Sequence, residues 1–224
     1  MKGQVETLTP LVETIKDSEL RRMVQELLTD PPGGLPQPAL PLGTCPAGAY
    51  QHHSYLGGLV QHTLSVHRIA MTLCDIVEEL YGGEVDRDLV KAGAIIHDVM
   101  KTYCYEPNGG GGFQTSEYGG MVDHLTLLVA EMHRRGYPTG LIHVVAGHHG
   151  DVGPTKPKTL EALVVSVADQ ADSDLNGKLL RAAEYLLRRS GEQRPQIGSA
   201  LDALRVVAAK SREGWPGVQR LTES

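Results

Sequence analysis

The stretch Gly93–Lys101, GAIIHDVMK, decides how this chain folds. Gly93, Ala94, Ile95 and Ile96 read as buried positions, and His97, Asp98 and Lys101 follow with no polar spacer. A surface helix carries a polar face. The segment from 87 to 98 is instead apolar around much of its circumference, with Asp86 as its N-cap. It is expected to be a central, buried helix that carries an imidazole and a carboxylate into the interior.

Outward from this helix the pattern stays helical. Leu59, Val66, Ile69, Leu73, Ile76 and Leu80 fall on one face of a helix over 55–81. Thr9–Pro10 reads as the start of a helix reaching about Leu28, which the run TDPPGG stops. Further helices are expected at 119–135, 139–149, 159–172, 175–190 and 198–211. Residues 31–50 are a Pro/Gly-rich loop without periodicity. Residues 102–117, with the run NGGGG, read as a flap or surface excursion. No convincing alternating strand is found, so the fold class is all-α.

Composition bounds the function. The 224 residues are 41% hydrophobic and 21% charged, enough for a soluble core of Leu, Val, Ile and Ala with few aromatics. A net charge of −6 argues against stable binding of long nucleic acid, which rests on many Lys and Arg contacts to phosphate. Cys45, Cys74 and Cys104 lie far apart with no CxxC spacing, as expected of reduced thiols in a cytoplasmic protein. The N-terminus MKGQVETLTPLV has no apolar leader region, and no apolar run approaches the ~18–20 residues that span a membrane.

Histidines occupy positions where the helical pattern calls for leucines. His62 lies on the row Leu59–His62–Val66–Ile69–Leu73, and His124 on Met121–His124–Leu128. His148 continues Leu141–Val145, His149 continues Ile142–Val145, and Asp169 continues Ala162–Val165. A single histidine on such a row is more often a core residue with a backbone partner. Together they place buried carboxylates, Asp98 and Asp169, among neutral imidazoles, which cannot neutralise them. An unpaired buried carboxylate costs several kcal/mol. A divalent metal satisfies both residue types, since His nitrogen and Asp oxygen are its normal ligands. Histidine-rich ligation favours Mn, Fe, Co, Ni or Zn over Mg.

The ordered set His62, His97–Asp98 and Asp169 resembles the HD superfamily of metal-dependent phosphohydrolases. Within it, HHSYLGGLVQHTLSV, AGAIIHDVMK, DHLTLL, GHHG and EALVVSVADQADS look closest to the HD domain of YhaM-type 3′–5′ exoribonucleases. The resemblance runs from about His52 to Asp174. It implies an HD-domain helical bundle over 51–190, preceded by a helix and lead-in over 1–50 and followed by a helical extension over 191–224. Those exoribonucleases carry an N-terminal OB-fold domain that binds nucleic acid. Here about fifty residues precede the matching region and read as helix and loop, so that domain is expected to be missing. Met100 and Asp123 stand where the family pattern commonly has Gly, and Lys101 where a nucleotidase branch has Glu.

The resemblance also implies roles. His62, His97, Asp98 and Asp169 would hold one metal, and His124, His148 and His149 a second, with Asp98 bridging. The single-metal alternative leaves His124, His148 and His149 as substrate contacts. Asp98 and Lys101 are the candidate catalytic residues, with Lys101 reaching a phosphate oxygen as a point charge. The implied reaction is in-line attack of a metal-activated water on a phosphoester. Its substrate would be a phosphorylated small molecule or a short nucleic-acid end.

His52 and His53 are candidates to contact substrate, with solvated rings at a helix lead-in as the alternative. His67, His133 and His143 are expected at surface or interhelical positions, and Arg181, Arg188 and Arg189 on a solvated face. A non-catalytic metal- or nucleotide-binding module is the competing functional class, and a homo-oligomer is compatible with the sequence.

Overall fold

A computed structural model describes residues 7–222 except 31, 36 and 194. The helix read from the opening stretch sits at its centre. Asp86 accepts hydrogen bonds from the amides of Asp88 and Leu89 and starts helix α4, Arg87–Ile96. The helix is apolar nearly all round because two of its faces serve two cores. Ala92, Ile95 and Ile96 join Met100, Leu128 and Leu141, while Val90 and Ala94 join Val66, Val144 and Val165. Gly93 permits the closest approach: a Cβ there would stand 2.3 Å from Val144 Cγ1.

Around α4 the order is α1 (Thr9–Glu13), α2 (Ser18–Thr29), α3 (Gly58–Asp75), α5 (Lys101–Cys104), α6 (Glu117–Met121), α7 (His124–Arg134), α8 (Thr139–Ala146), α9 (Leu160–Arg189) and α10 (Ala200–Thr222). Helix α4 packs against α2, α3, α8 and α9, and α10 lies along α9. Among the described residues no helix is long and apolar enough to cross a membrane.

The all-α class holds, with differences at the element boundaries. The N-terminal helix expected over 10–28 is two, because Asp17 caps a new start by accepting from the Glu19 and Leu20 amides. Residues 1–6, part of the stretch read for a leader, lie outside the described residues. Helix α3 continues into a wider π turn, Ile76–Leu80, near the expected end. The two helices expected over 159–172 and 175–190 are one, α9. Its polar middle read as a break, yet Asp172 and Asn176 are buried and find tertiary partners. Helix α10 extends past the expected 211 through a kink at Gly214, where φ is 69°.

The flap contains a small hairpin, β1 (Tyr105–Pro107) with β2 (Phe113–Thr115), that the sequence pattern did not show. Three-residue strands are too short for an alternating pattern to register. Its glycine tip is tied down where Gln196 Nε2 donates to Gly110 O.

The Pro/Gly-rich segment has a definite place. Leu40, Cys45 and Ala47 pack with Leu59 and Phe113, and the Leu59 amide donates to Cys45 O. The segment therefore wraps the start of α3 and brings residues 47–52 over the interior.

Candidate metal centre

Each polar residue of the opening stretch is delivered by the end of α4. His97 is its C-cap, and Asp98 lies in the turn that leads into α5. Helix α3 supplies His62, and α9 supplies Asp169. These four converge. His62 Nε2 lies 3.1 Å from Asp169 Oδ1, 3.3 Å from Asp98 Oδ2 and 3.2 Å from His97 Nε2. His97 Nε2 is 3.4 Å from Asp98 Oδ2 and 3.8 Å from Asp169 Oδ1.

A second group meets the other oxygen of Asp98. His124 Nε2 is 3.2 Å and His148 Nε2 3.6 Å from Asp98 Oδ1. His149 packs against His148 with ring centroids 4.0 Å apart and the rings tilted by 52°. One ligand atom from each of Asp98, His124, His148 and His149 lies within 4.8 Å of the others. Asp123, where Gly was expected, has a local task. It caps α7 by accepting from Thr126 N and Oγ1, and so sets His124 in the first turn. Met100, the other departure, is a core residue with φ −77°, a conformation open to any side chain.

The ring orientations are fixed from behind. His97 Nδ1 donates to Ala94 O, His148 Nδ1 to Val145 O, and His62 Nδ1 to the carboxylate of Asp172. Each ring therefore turns Nε2 toward the carboxylates, as outer hydrogen bonds do for metal-ligating histidines.

The cluster requires positive charge. Burial opposes charge on His62, but Asp169, Asp172 and Asp98 outweigh it and raise its pKa to about 10. Burial likewise opposes ionisation of Asp98, yet Lys101 and His97 hold its carboxyl well below the usual range. Lys101 Nζ stands 2.6 Å from Asp98 Oδ2, and burial, which would lower its pKa, is overcome by Asp98, Tyr105 and Asp169. A proton on His62 still leaves half of the cluster unsatisfied. Both Asp98 oxygens, His124 Nε2 and His148 Nε2 are buried without a hydrogen bond of good geometry, although ion-pair distances are met. Buried polar atoms are rarely left so. Carboxylate oxygens and imidazole nitrogens facing one another fit a divalent cation.

Above the cluster lies a cavity of about 470 Å³. Lys101, His124, His148, His149 and Asp169 form its inner end, residues 47–52 one wall, Tyr105 and Thr115 of the hairpin another, and Gln170, Ser173 and Asp174 of α9 a third. His52 lines it, and burial lowers its pKa to about 3, so the ring is neutral. Burial similarly takes His149 down to about 4.

His53 is elsewhere. Its ring is buried behind His62, with Nε2 2.8 Å from Asp172 Oδ2 and Nδ1 2.8 Å from the Tyr55 hydroxyl, so it does not line the cavity. His133 is exposed, as are Arg181, Arg188 and Arg189. His143 accepts from the Lys158 amide, and His67 is buried on α3.

Asp172 escaped the sequence reading although its signal was present. The row Val165–Asp169–Asp172–Asn176 runs at spacings of four, three and four, and so continues the row that singled out Asp169. The cavity wall from Ala47 to Gln51 carried no comparable signal.

Comparisons with known proteins point to a family. The HD domain profile matches residues 59–174, just over half of the chain. The chain is 42% identical over 213 residues to the dihydroneopterin 2′,3′-cyclic phosphate phosphodiesterase of Methanocaldococcus jannaschii, covering 94% of this chain and 85% of the relative. It is 25% identical over 182 residues to the 3′–5′ exoribonuclease YhaM of Bacillus velezensis, covering 76% of this chain and 54% of that enzyme. The corresponding enzyme of Bacillus subtilis is 28% identical over 142 residues, covering 58% and 43%. The chain thus spans about half the length of these exoribonucleases. No solved structure matches. The helical architecture, the paired His97–Asp98 at the end of a buried helix and these likenesses lead to one conclusion: the chain belongs to the HD family of metal-dependent phosphohydrolases.

Proposed function

We propose that this enzyme opens a small phosphodiester, a cyclic phosphate on a compact uncharged alcohol, rather than digesting RNA chains. The observation that carries this reading is the cavity lining. It contains a single Lys or Arg, Lys101, and that residue is already on Asp98. A nucleic-acid strand needs a series of cations along its phosphates. Here the wall beyond Lys101 offers Gln170, Ser173 and Asp174, which suit a neutral group with hydrogen-bond donors. The volume is in the range of small-molecule sites, roughly 300–1,000 Å³. The M. jannaschii relative is named for dihydroneopterin 2′,3′-cyclic phosphate, which has one phosphate and a neutral ring, and this is the first substrate to test.

Residue roles follow from the two groups around Asp98. His62, His97, Asp98 and Asp169 would hold one ion. His124, His148 and His149 would hold a second, with Asp98 giving Oδ2 to the first group and Oδ1 to the second. The imidazole-rich set favours Mn, Fe, Co, Ni or Zn. Divalent ions so held would neutralise phosphate oxygens and lower the pKa of water. Lys101 would contribute a fixed positive charge for the charge that develops on phosphate in the transition state. His52, neutral and on the cavity wall, would position the substrate. Hydrolysis forms one P–O bond from water, breaks one ester P–O bond of the ring and leaves a phosphomonoester with a free hydroxyl. We place the enzyme in the cytoplasm on the sequence reading of Cys45, Cys74 and Cys104 as reduced thiols; all three are buried.

The test is a substrate panel on Mn-reconstituted protein: dihydroneopterin and nucleoside 2′,3′-cyclic phosphates, 3′,5′-cyclic nucleotides, and short RNA. Turnover of 2′,3′-cyclic phosphates with intact RNA is expected. Stepwise 3′ shortening of RNA without cyclic-phosphate turnover would overturn the reading.

A further inference from the structure

We propose that Asp172 and His53 form a positioning relay that locks the His62 ring for metal binding and ties the substrate wall to the same point. This rests on the reading of His62 as a metal ligand. Asp172 Oδ2 accepts from two imidazoles at once, His62 Nδ1 at 2.7 Å and His53 Nε2 at 2.8 Å. A proton is thereby held on His62 Nδ1, and only Nε2 is left to face Asp98, Asp169 and His97.

The far end of the relay is fixed from several sides. His53 Nδ1 stands against the Tyr55 hydroxyl, which accepts from Asn176 Nδ2 at 3.1 Å. The same Asn176 accepts the His53 amide through Oδ1 at 2.6 Å. His53 carries φ +44°, the single positive value at a non-glycine among the described residues. Such a conformation persists only where the surroundings over-determine it, and it clusters at functional sites. The surroundings here are specific. The Ala47 amide donates to His53 O, and a Cβ on Gly58 would stand 2.0 Å from that oxygen. Residues 47–52 form the cavity wall, so the His53 backbone follows directly on the wall while its ring reaches the back of His62. Helix α9 contributes Asp169 to the front of His62 and Asp172 to its back, three residues apart.

A role confined to folding predicts a different outcome from a relay. The folded, metal-free protein and its variants are titrated with Mn²⁺ at 25 °C, and unbound ion is read by electron paramagnetic resonance. Asp172→Asn, in which a neutral amide oxygen replaces the charged acceptor shared by both rings, is expected to weaken Mn²⁺ binding about 10–100-fold, the effect of disturbing an outer-shell partner. His53→Phe should weaken it in the same direction, and His53→Gln, which retains a donor toward Asp172, should restore most of it. Melting curves without metal identify the variants that are folded.

Wild-type Mn²⁺ affinity in folded Asp172→Asn, or equal affinities for His53→Phe and His53→Gln, would overturn the relay. The reading beneath it fails separately: His62→Ala with undiminished Mn²⁺ binding would remove His62 from the metal site. No substrate is used, so the outcome is independent of which phosphoester the enzyme cleaves.

Discussion

The Nε2 atoms of His62 and His97 lie 3.2 Å apart, each turned toward the other by a hydrogen bond on the opposite side of its ring. Two imidazole lone pairs at that separation repel unless a cation lies between or beside them. A proton on His62 meets the need in the metal-free protein, and a metal ion meets it better because it also satisfies Asp98, His124 and His148. The predictions below follow from this relationship and from the packing that creates it.

Asp98 presents one oxygen to each half of the cluster. Asp98→Ala removes both contacts and leaves Lys101 buried without its nearest anion. The variant is expected to retain no metal through gel filtration and to hydrolyse bis-p-nitrophenyl phosphate no faster than buffer. Elemental analysis and a Mn-supplemented assay check the two statements, and full activity would contradict the site.

The proposed role of Lys101 is to act on charge rather than on metal retention. Lys101→Met keeps the length of the side chain and removes the ammonium. Bound metal per chain should stay at the wild-type value while kcat falls about 10²–10³-fold, the scale of one lost electrostatic donor. A parallel loss of metal would show that Lys101 supports Asp98 rather than the reaction.

Protonation of His62 gives the metal-free protein a pH signature. The imidazole titrates near 6.5 when unfolded and near about 10 when folded, since Asp169, Asp172 and Asp98 outweigh burial. Its stabilisation is complete below about 6.5 and is lost as pH rises toward 10. Asp169 and Asp172 act in the other direction: both are shifted down, so their contribution is present above about 3.8 and is lost in acid. Urea melts of metal-free protein should therefore weaken from pH 6.5 to 10. At pH 8, Mn²⁺ binding should release a proton, seen as a dependence of calorimetric heat on buffer ionisation enthalpy.

Gly93 sets the depth at which His97 and Asp98 are held. Gly93→Ala drives a methyl to within 2.3 Å of Val144 Cγ1 unless α4 and α8 separate. Overpacking of this kind costs about 1–3 kcal/mol. At ~2–4 °C per kcal/mol for a chain of this size, the melting temperature should fall by roughly 2–12 °C. Metal affinity should fall with it, because the separation moves the end of α4.

Much of this was legible in the sequence, for physical reasons. Helical periodicity reports which side chains point inward, and so it identified His62, His97, Asp98, His124, His148 and Asp169 as polar groups at interior positions. The cost of burying them unpaired pointed to metal. The same reasoning applied one turn further would have found Asp172. The break expected between 172 and 175 hid it, because polar residues end a helix only where tertiary partners do not pay for their burial. The hairpin was hidden by its brevity, and the place of residues 31–50 by their lack of period.

The sequence by itself therefore determined the all-α class, the buried carboxylates and the imidazoles set among them, since these depend on spacing along one chain. Tertiary structure alone decided which nitrogen of each ring faces the centre, because tautomer and orientation depend on partners up to 110 residues away, as between His62 and Asp172. It also decided that His53 stands behind the site while His52, its neighbour, lines the cavity: a backbone turn with φ +44°, enforced by Asn176, Ala47 and Gly58, sends adjacent rings to different places.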